Sequence, residues 1–112
     1  MTEQKRKLTP ADIEAAIVSE HTFTAGEGMF GLEVMMCGTP VTNLVPLNQL
    51  TFCVLILQNG YTVVGINHGS ADPEAFDAAL GRKYAREAAV EQIWPLEGYL
   101  LKQRMHDDPF TE

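Results

Sequence analysis

Residues 73–105 read PEAFDAALGRKYAREAAVEQIWPLEGYLLKQRM, and their spacing predicts one long helix. Phe76, Leu80, Tyr84, Ala88 and Ile93 recur at helical intervals and draw an apolar face over several turns. Pro73 suits a first helical position, and Ser70 or Asp72 before it can cap the free N–H groups. Gly81, Ala85, Ala88 and Ala89 are small enough for another helix to approach closely. Pro95 lacks an N–H and crowds the preceding turn, so it kinks the helix or begins a second segment. Leu96, Tyr99, Leu100 and Leu101 then carry the apolar face onward.

Working back from that helix, Leu50 to Leu57 and Tyr61 to Ile66 are two apolar runs joined through Asn59-Gly60. Asn-Gly is the strongest two-residue turn signal, because both positions accept positive φ. Residues 50–66 are therefore a β-hairpin. Its strands are nearly continuously apolar, so both faces should be covered, one of them by another subunit. Nearer the N-terminus, Thr9 caps and Pro10 opens a helix read over residues 9–22, with Asp12 in its first turn and Ile13, Ala16 and Ile17 as its stripe. Residues 25–48 are punctuated by Gly26, Gly28, Gly31, Gly38, Pro40 and Pro46 and read as an inserted loop segment. Within it, Leu32 to Cys37 fits either a short helix or a strand. The fold class is α+β in a single domain spanning residues 1–112.

The chain has 112 residues, 46% of them hydrophobic, and a formal charge of −7. A domain of this length has a modest core, to which oligomerisation would add buried area. The acidic balance argues against a DNA or RNA polymer or a membrane surface as partner, while leaving room for a small anion held by a few local cations. No apolar run approaches the ~20 residues of a membrane span, and the N-terminus lacks a signal-peptide core. A cytosolic location is expected, with Cys37 and Cys53 as thiols and Cys53 in the core.

Nothing in the sequence assembles a catalytic or metal centre. His21, His68 and His106 are scattered over three elements, and Ser19 and Ser70 lack the glycines of a nucleophile elbow. No enzyme activity, cofactor or metal is expected. Anion binding has more support. Gly69-Ser70-Ala71 runs into a helix start, where free N–H groups attract phosphate, although Asp72 can satisfy the same donors. Arg82, Lys83 and Arg86 form a basic cluster that serves solubility or, gathered across a symmetry axis, clamps phosphates. Phe23, Phe30 and Tyr61 are available for stacking on a base or for packing.

The run Asn59-Gly60-Tyr61-Thr62-Val63 with Gly65 resembles a family of small tailed-phage proteins. So do Asp72-Pro73, Phe76-Asp77 and Gly81-Arg82-Lys83 with Ala85-Arg86. The block Ile93-Trp94-Pro95-Leu96-Glu97-Gly98-Tyr99-Leu100-Leu101 is the most specific part, and Thr9-Pro10 with Ala16-Ile17 and His21 fits the opening helix. The resemblance covers roughly residues 9–23 and 50–104. That family includes the type 2 anti-CBASS sponges, which bind the cyclic oligonucleotide messengers of bacterial immunity without degrading them. The resemblance implies a homohexamer in the cytoplasm of an infected bacterial host, in which the small-residue helix face reads as an assembly surface. It implies cyclic dinucleotides held near His21, Thr22, Phe23, Gln49 and Thr51, and cyclic trinucleotides held near Arg82, Lys83 and Arg86. Gln49 stands where the family has a lysine. The alternative is a phage structural or host-interaction protein that binds a protein partner.

Overall fold

The structure is a computed structural model that describes residues 7–36 and 44–108. Its order is α1 (Pro10–Ala15), β1 (Ile17–Thr24), α2 (Ala25–Met36), α3 (Val45–Asn48), β2 (Thr51–Leu57), β3 (Thr62–Asn67), a 3-10 turn (Pro73–Ala75) and α4 (Ala78–Asp107). The strands form one antiparallel sheet in the order β1-β2-β3, and α4 lies across one face of it. The architecture is α+β, as the sequence predicts.

The hairpin forms where Asn59-Gly60 places it. Gly60 takes φ 87°, and the β2–β3 ladder runs from Ile56↔Thr62 to Thr51↔Asn67. The helix expected over residues 9–22 is much shorter. Thr9 and Asp12 form a capping box, but α1 ends at Ala15 and Ile17–Thr24 is a strand paired with β2. A two-stranded ribbon is marginal alone, so the third strand is worth more to the chain than two further helical turns. Val18, Thr22, Phe23 and Thr24 also favour extended backbone. The register slips between Ile17 and Ser19, a bulge at Val18.

Residues 25–36, read as loop or short apolar element, form the 12-residue helix α2. Its start is a reciprocal cap: Glu27 N–H donates to Thr24 Oγ1 (3.1 Å) and Thr24 N–H donates to Glu27 Oε1 (2.9 Å). The rest of the expected loop contains the single turn α3 at Val45–Asn48, while residues 37–43, including Cys37, lie outside the described residues.

The long helix begins later than Pro73. Asp72 caps only the 3-10 turn, where Glu74 N–H donates to its Oδ1 (3.0 Å). Phe76 and Asp77 are extended, and Asp77 Oδ1 accepts from Ala79 N–H (2.9 Å) and Leu80 N–H (3.3 Å) to start α4. The helix then runs through Pro95 to Asp107, so Pro95 does not begin a second segment.

The buried stripe of α4 is Gly81, Ala85, Ala89, Ile93 and Leu101. Leu80 and Tyr84, expected on the apolar face, are 44% and 46% exposed. The small-residue face therefore packs on this chain's own sheet and is not the assembly surface expected for it. Its partner is Gly65 on β3, where a β-carbon would run into the carbonyl of Ala85 and the amide of Ala89. The core behind it holds Ile13, Cys53, Leu55, Leu57, Val63 and Ile93.

On the other face of the sheet α2 comes up against the Phe23 ring at Gly28, and β3 stays exposed. Phe23 stacks obliquely on Phe52 there, with ring centroids 5.7 Å apart, and Val64 and Ile66 remain more than 40% exposed. The molecule measures 61 × 32 × 19 Å with a radius of gyration of 18.7 Å, against about 13 Å for a compact domain of this length.

Candidate functional site

The sequence-derived site residues separate into three places. Gln49, Thr51, Gly69 and Ser70 come together at the corner where β2 begins and β3 ends. Thr51 pairs with Asn67 across the ladder. Asn67 Oδ1 accepts from Gly69 N–H (2.9 Å), which turns the chain through φ 83° at Gly69. Any β-carbon at Gly69 would stand 2.8 Å from both Cβ and the carbonyl oxygen of Gln49, so this close crossing requires glycine. Ser70 N–H then donates to Gln49 Oε1 (3.4 Å), and Asp72 N–H donates to Ser70 Oγ (3.3 Å).

Two hollows flank this corner. One, of about 570 Å³, lies between Val45, Asn48 and Gln49 on one side and Asp72, Pro73, Glu74 and Phe76 on the other. The second, of about 240 Å³, joins Asn67, Gly69 and Ser70 to Phe76, Asp77, Leu80, Gly81 and Tyr84. Lys83 Nζ sits 5.8 Å from the ring centroid of Tyr84, so a cation stands by this second hollow. Beneath the corner, the Thr51 hydroxyl is fully buried without a hydrogen-bond partner, facing Gly81 and the Phe76 ring. The N–H groups that start the 3-10 turn and α4 are bound by the carboxylates of Asp72 and Asp77. Capping therefore uses the donors that a phosphate would need.

His21, Thr22 and Phe23 lie on β1 and diverge. Thr22 pairs with Cys53 on the α4 side of the sheet, while His21 and Phe23 sit opposite Val54 and Phe52 on the open side. His21 Nε2 lies 3.3 Å from Ser19 Oγ. Burial pushes the Cys53 thiol above its ordinary pKa, in keeping with an inert core thiol.

The basic cluster is divided. Arg86 reaches across to α1 and β1, where its guanidinium meets Glu14 Oε1 (2.8 Å) and Glu20 Oε2 (3.1 Å). Both carboxylates are contacted through two hydrogen bonds, so Arg86 ties three elements together and its charge is compensated within the chain. Arg82 and Lys83 are exposed and stay available to a ligand. Sequence reasoning missed Tyr84 and Asn67 as site residues. An aromatic residue next to Lys83 was the available signal for Tyr84. Nothing local marks Asn67.

The Arg86 tie predicts a pH dependence. Its hydrogen bonds hold the Glu14 carboxyl below the ordinary glutamate range. A depressed carboxyl stabilises the fold above its unfolded pKa of about 4.3, and that contribution is lost as the pH falls through the lower folded value. Arg86→Ala should cost about 1 kcal/mol at neutral pH, since the groups are partly exposed. It should also flatten the loss of stability below about pH 4.5. Urea unfolding at several pH values reads both effects. Identical acid limbs in the two proteins would refute the tie.

Among the described residues no group of His, Cys, Asp and Glu side chains could hold a metal ion, and no helix is long and apolar enough to cross a membrane. No curated protein and no solved structure matches this chain. Residues 8–105, a span that encloses the segment 25–48 left out of the motif resemblance, match the phage protein (N4 Gp49/phage Sf6 gene 66) family, and the chain belongs to that family.

Proposed function

We propose that this phage-family protein is a sponge. It binds cyclic di- and trinucleotide signals of bacterial CBASS immunity and sequesters them without cleaving them, as a homohexamer in the cytoplasm of the infected host. The observation that carries the reading is the small hollow in which Gly69 and Ser70 face the Tyr84 ring, with Lys83 over that ring. It offers an aromatic ring and polar groups within a volume suited to one base, with a cation beside that ring. Arg82, one residue before Lys83, supplies a second exposed charge. Symmetry would multiply these two cations, which is how an acidic chain can hold a ring of phosphates.

The shape supports assembly. The accessible surface is 7933 Å², against about 6100 Å² for a compact monomer of this mass. The open sheet face with Phe23, Val64 and Ile66 is a surface that further subunits would cover. Sequestration needs burial and charge complementarity rather than a base or nucleophile, in keeping with a role that is not enzymatic.

The test is calorimetric titration with cyclic di- and trinucleotides, followed by heat denaturation and chromatography of the released ligand. Recovery of unaltered cyclic nucleotide is expected. Arg82→Ala and Lys83→Ala should each weaken trinucleotide binding about tenfold, the equivalent of one charge-assisted hydrogen bond, with native mass unchanged. No heat with any member of a broad panel, or linear products on release, would overturn the reading. A monomeric native mass would remove its premise that several chains share a ligand.

A further inference from the structure

We propose that the groove at the hairpin end of the sheet is a binding site for a small planar aromatic anion. It lies at the far end of β2 from the Ser70 corner, about 20 Å away at the rise of a strand, and does not rest on the cyclic-nucleotide reading. The groove encloses about 450 Å³, within the range of organic-ligand sites. Leu57, Leu96 and Leu100 supply its apolar lining, and the rings of Tyr61 and Tyr99 stand over it from two different elements. These rings are 57% and 72% exposed, so a flat aromatic ligand would take two large amphipathic surfaces out of water.

The charge of the ligand follows from Arg104, which lines the same groove. Its guanidinium has no ion pair with any of the described residues. The groove's one carboxylate, Glu97, lies seven residues back on α4, about 10 Å along the axis. An anionic group on the ligand would therefore find an uncompensated fork of donors.

The walls are also preformed. Gln58 N–H donates to the Ala16 carbonyl (3.0 Å) and its Nε2 to the Ala15 carbonyl (3.0 Å), pinning the hairpin to the end of α1. Asn59 Oδ1 accepts from Tyr61 N–H (3.0 Å), and the Tyr61 carbonyl accepts from Leu57 N–H (2.8 Å). The backbone that carries Tyr61 is thus held before any ligand arrives, which lowers the entropy lost on binding.

The probe pair is 8-anilinonaphthalene-1-sulfonate and its neutral counterpart N-phenyl-1-naphthylamine, each titrated into the full chain by fluorescence. The sulfonate should bind one per chain and more tightly than the neutral probe. Arg104→Gln, at an exposed position, should weaken the sulfonate at least about fivefold, one lost charge contact, and leave the neutral probe unchanged. Tyr99→Ser should weaken both. Equal affinity for the two probes, or sulfonate binding indifferent to Arg104→Gln, would overturn the proposal. So would absent binding together with a native mass altered by Tyr99→Ser, which would make the groove a contact between copies of the chain.

Discussion

Replacing Gly65 with valine is expected to lower the thermal unfolding midpoint by about 10 °C or more. Gly65 is a point at which the backbone of α4 comes very close to the sheet. A β-carbon there would meet the carbonyl of Ala85 and the amide of Ala89, and both are helix backbone. A flexible side chain could swing aside, whereas a helix held by its own hydrogen bonds moves only as a whole. Lifting α4 off β3 would also loosen Ala85, Ala89 and Ile93, all fully buried. Overpacking of this kind costs about 3 kcal/mol. Gly98 provides the control, because beyond its own helical turn nothing lies within 4 Å of where its β-carbon would be. Gly98→Ala should raise stability by up to about 1 kcal/mol through helix propensity alone. Circular dichroism melts of the two variants decide the matter. Equal midpoints would show that α4 does not pack on Gly65 as described.

Ile93→Ala should destabilise the chain by about 3 kcal/mol, through lost transfer energy and the cavity left behind. Ile93 is the last fully buried residue of α4 in the main core, with Leu96 packing against that core from one turn on. Seven residues on, Leu100 is 43% exposed, and its replacement by alanine should change the unfolding energy of a single chain by only about 0.5 kcal/mol. Urea unfolding of both variants measures where the core ends. A loss at Leu100 as large as at Ile93 would mean that the outer half of α4 is buried in an assembly.

The parts legible in the sequence are those whose cause is local. Asn59-Gly60 sets a turn from its own φ preferences, and the hairpin forms there. The apolar spacing after Asp77 gives a helix that Pro95 does not end. Thr9 and Asp12 cap α1 as their spacing implies. The Thr24–Glu27 capping box was equally local and marked α2, but the glycines of that segment masked it.

The tertiary structure decided whatever depends on a distant partner. Ile13, Ala16 and Ile17 have helical spacing, yet Ile17 joins a strand because β2 offers a ladder of hydrogen bonds along its open edge. The small face of α4 turns inward because Gly65, 16 residues before Gly81, leaves room for a backbone. Arg86 is withdrawn from the basic cluster by Glu14 and Glu20, which are 72 and 66 residues away along the chain. Side-chain periodicity reports that a residue wants burial or charge compensation. Which partner supplies it depends on packing in three dimensions, and so the sequence alone determined the elements while the assembled fold chose the face of α4 and the cations left free for a ligand.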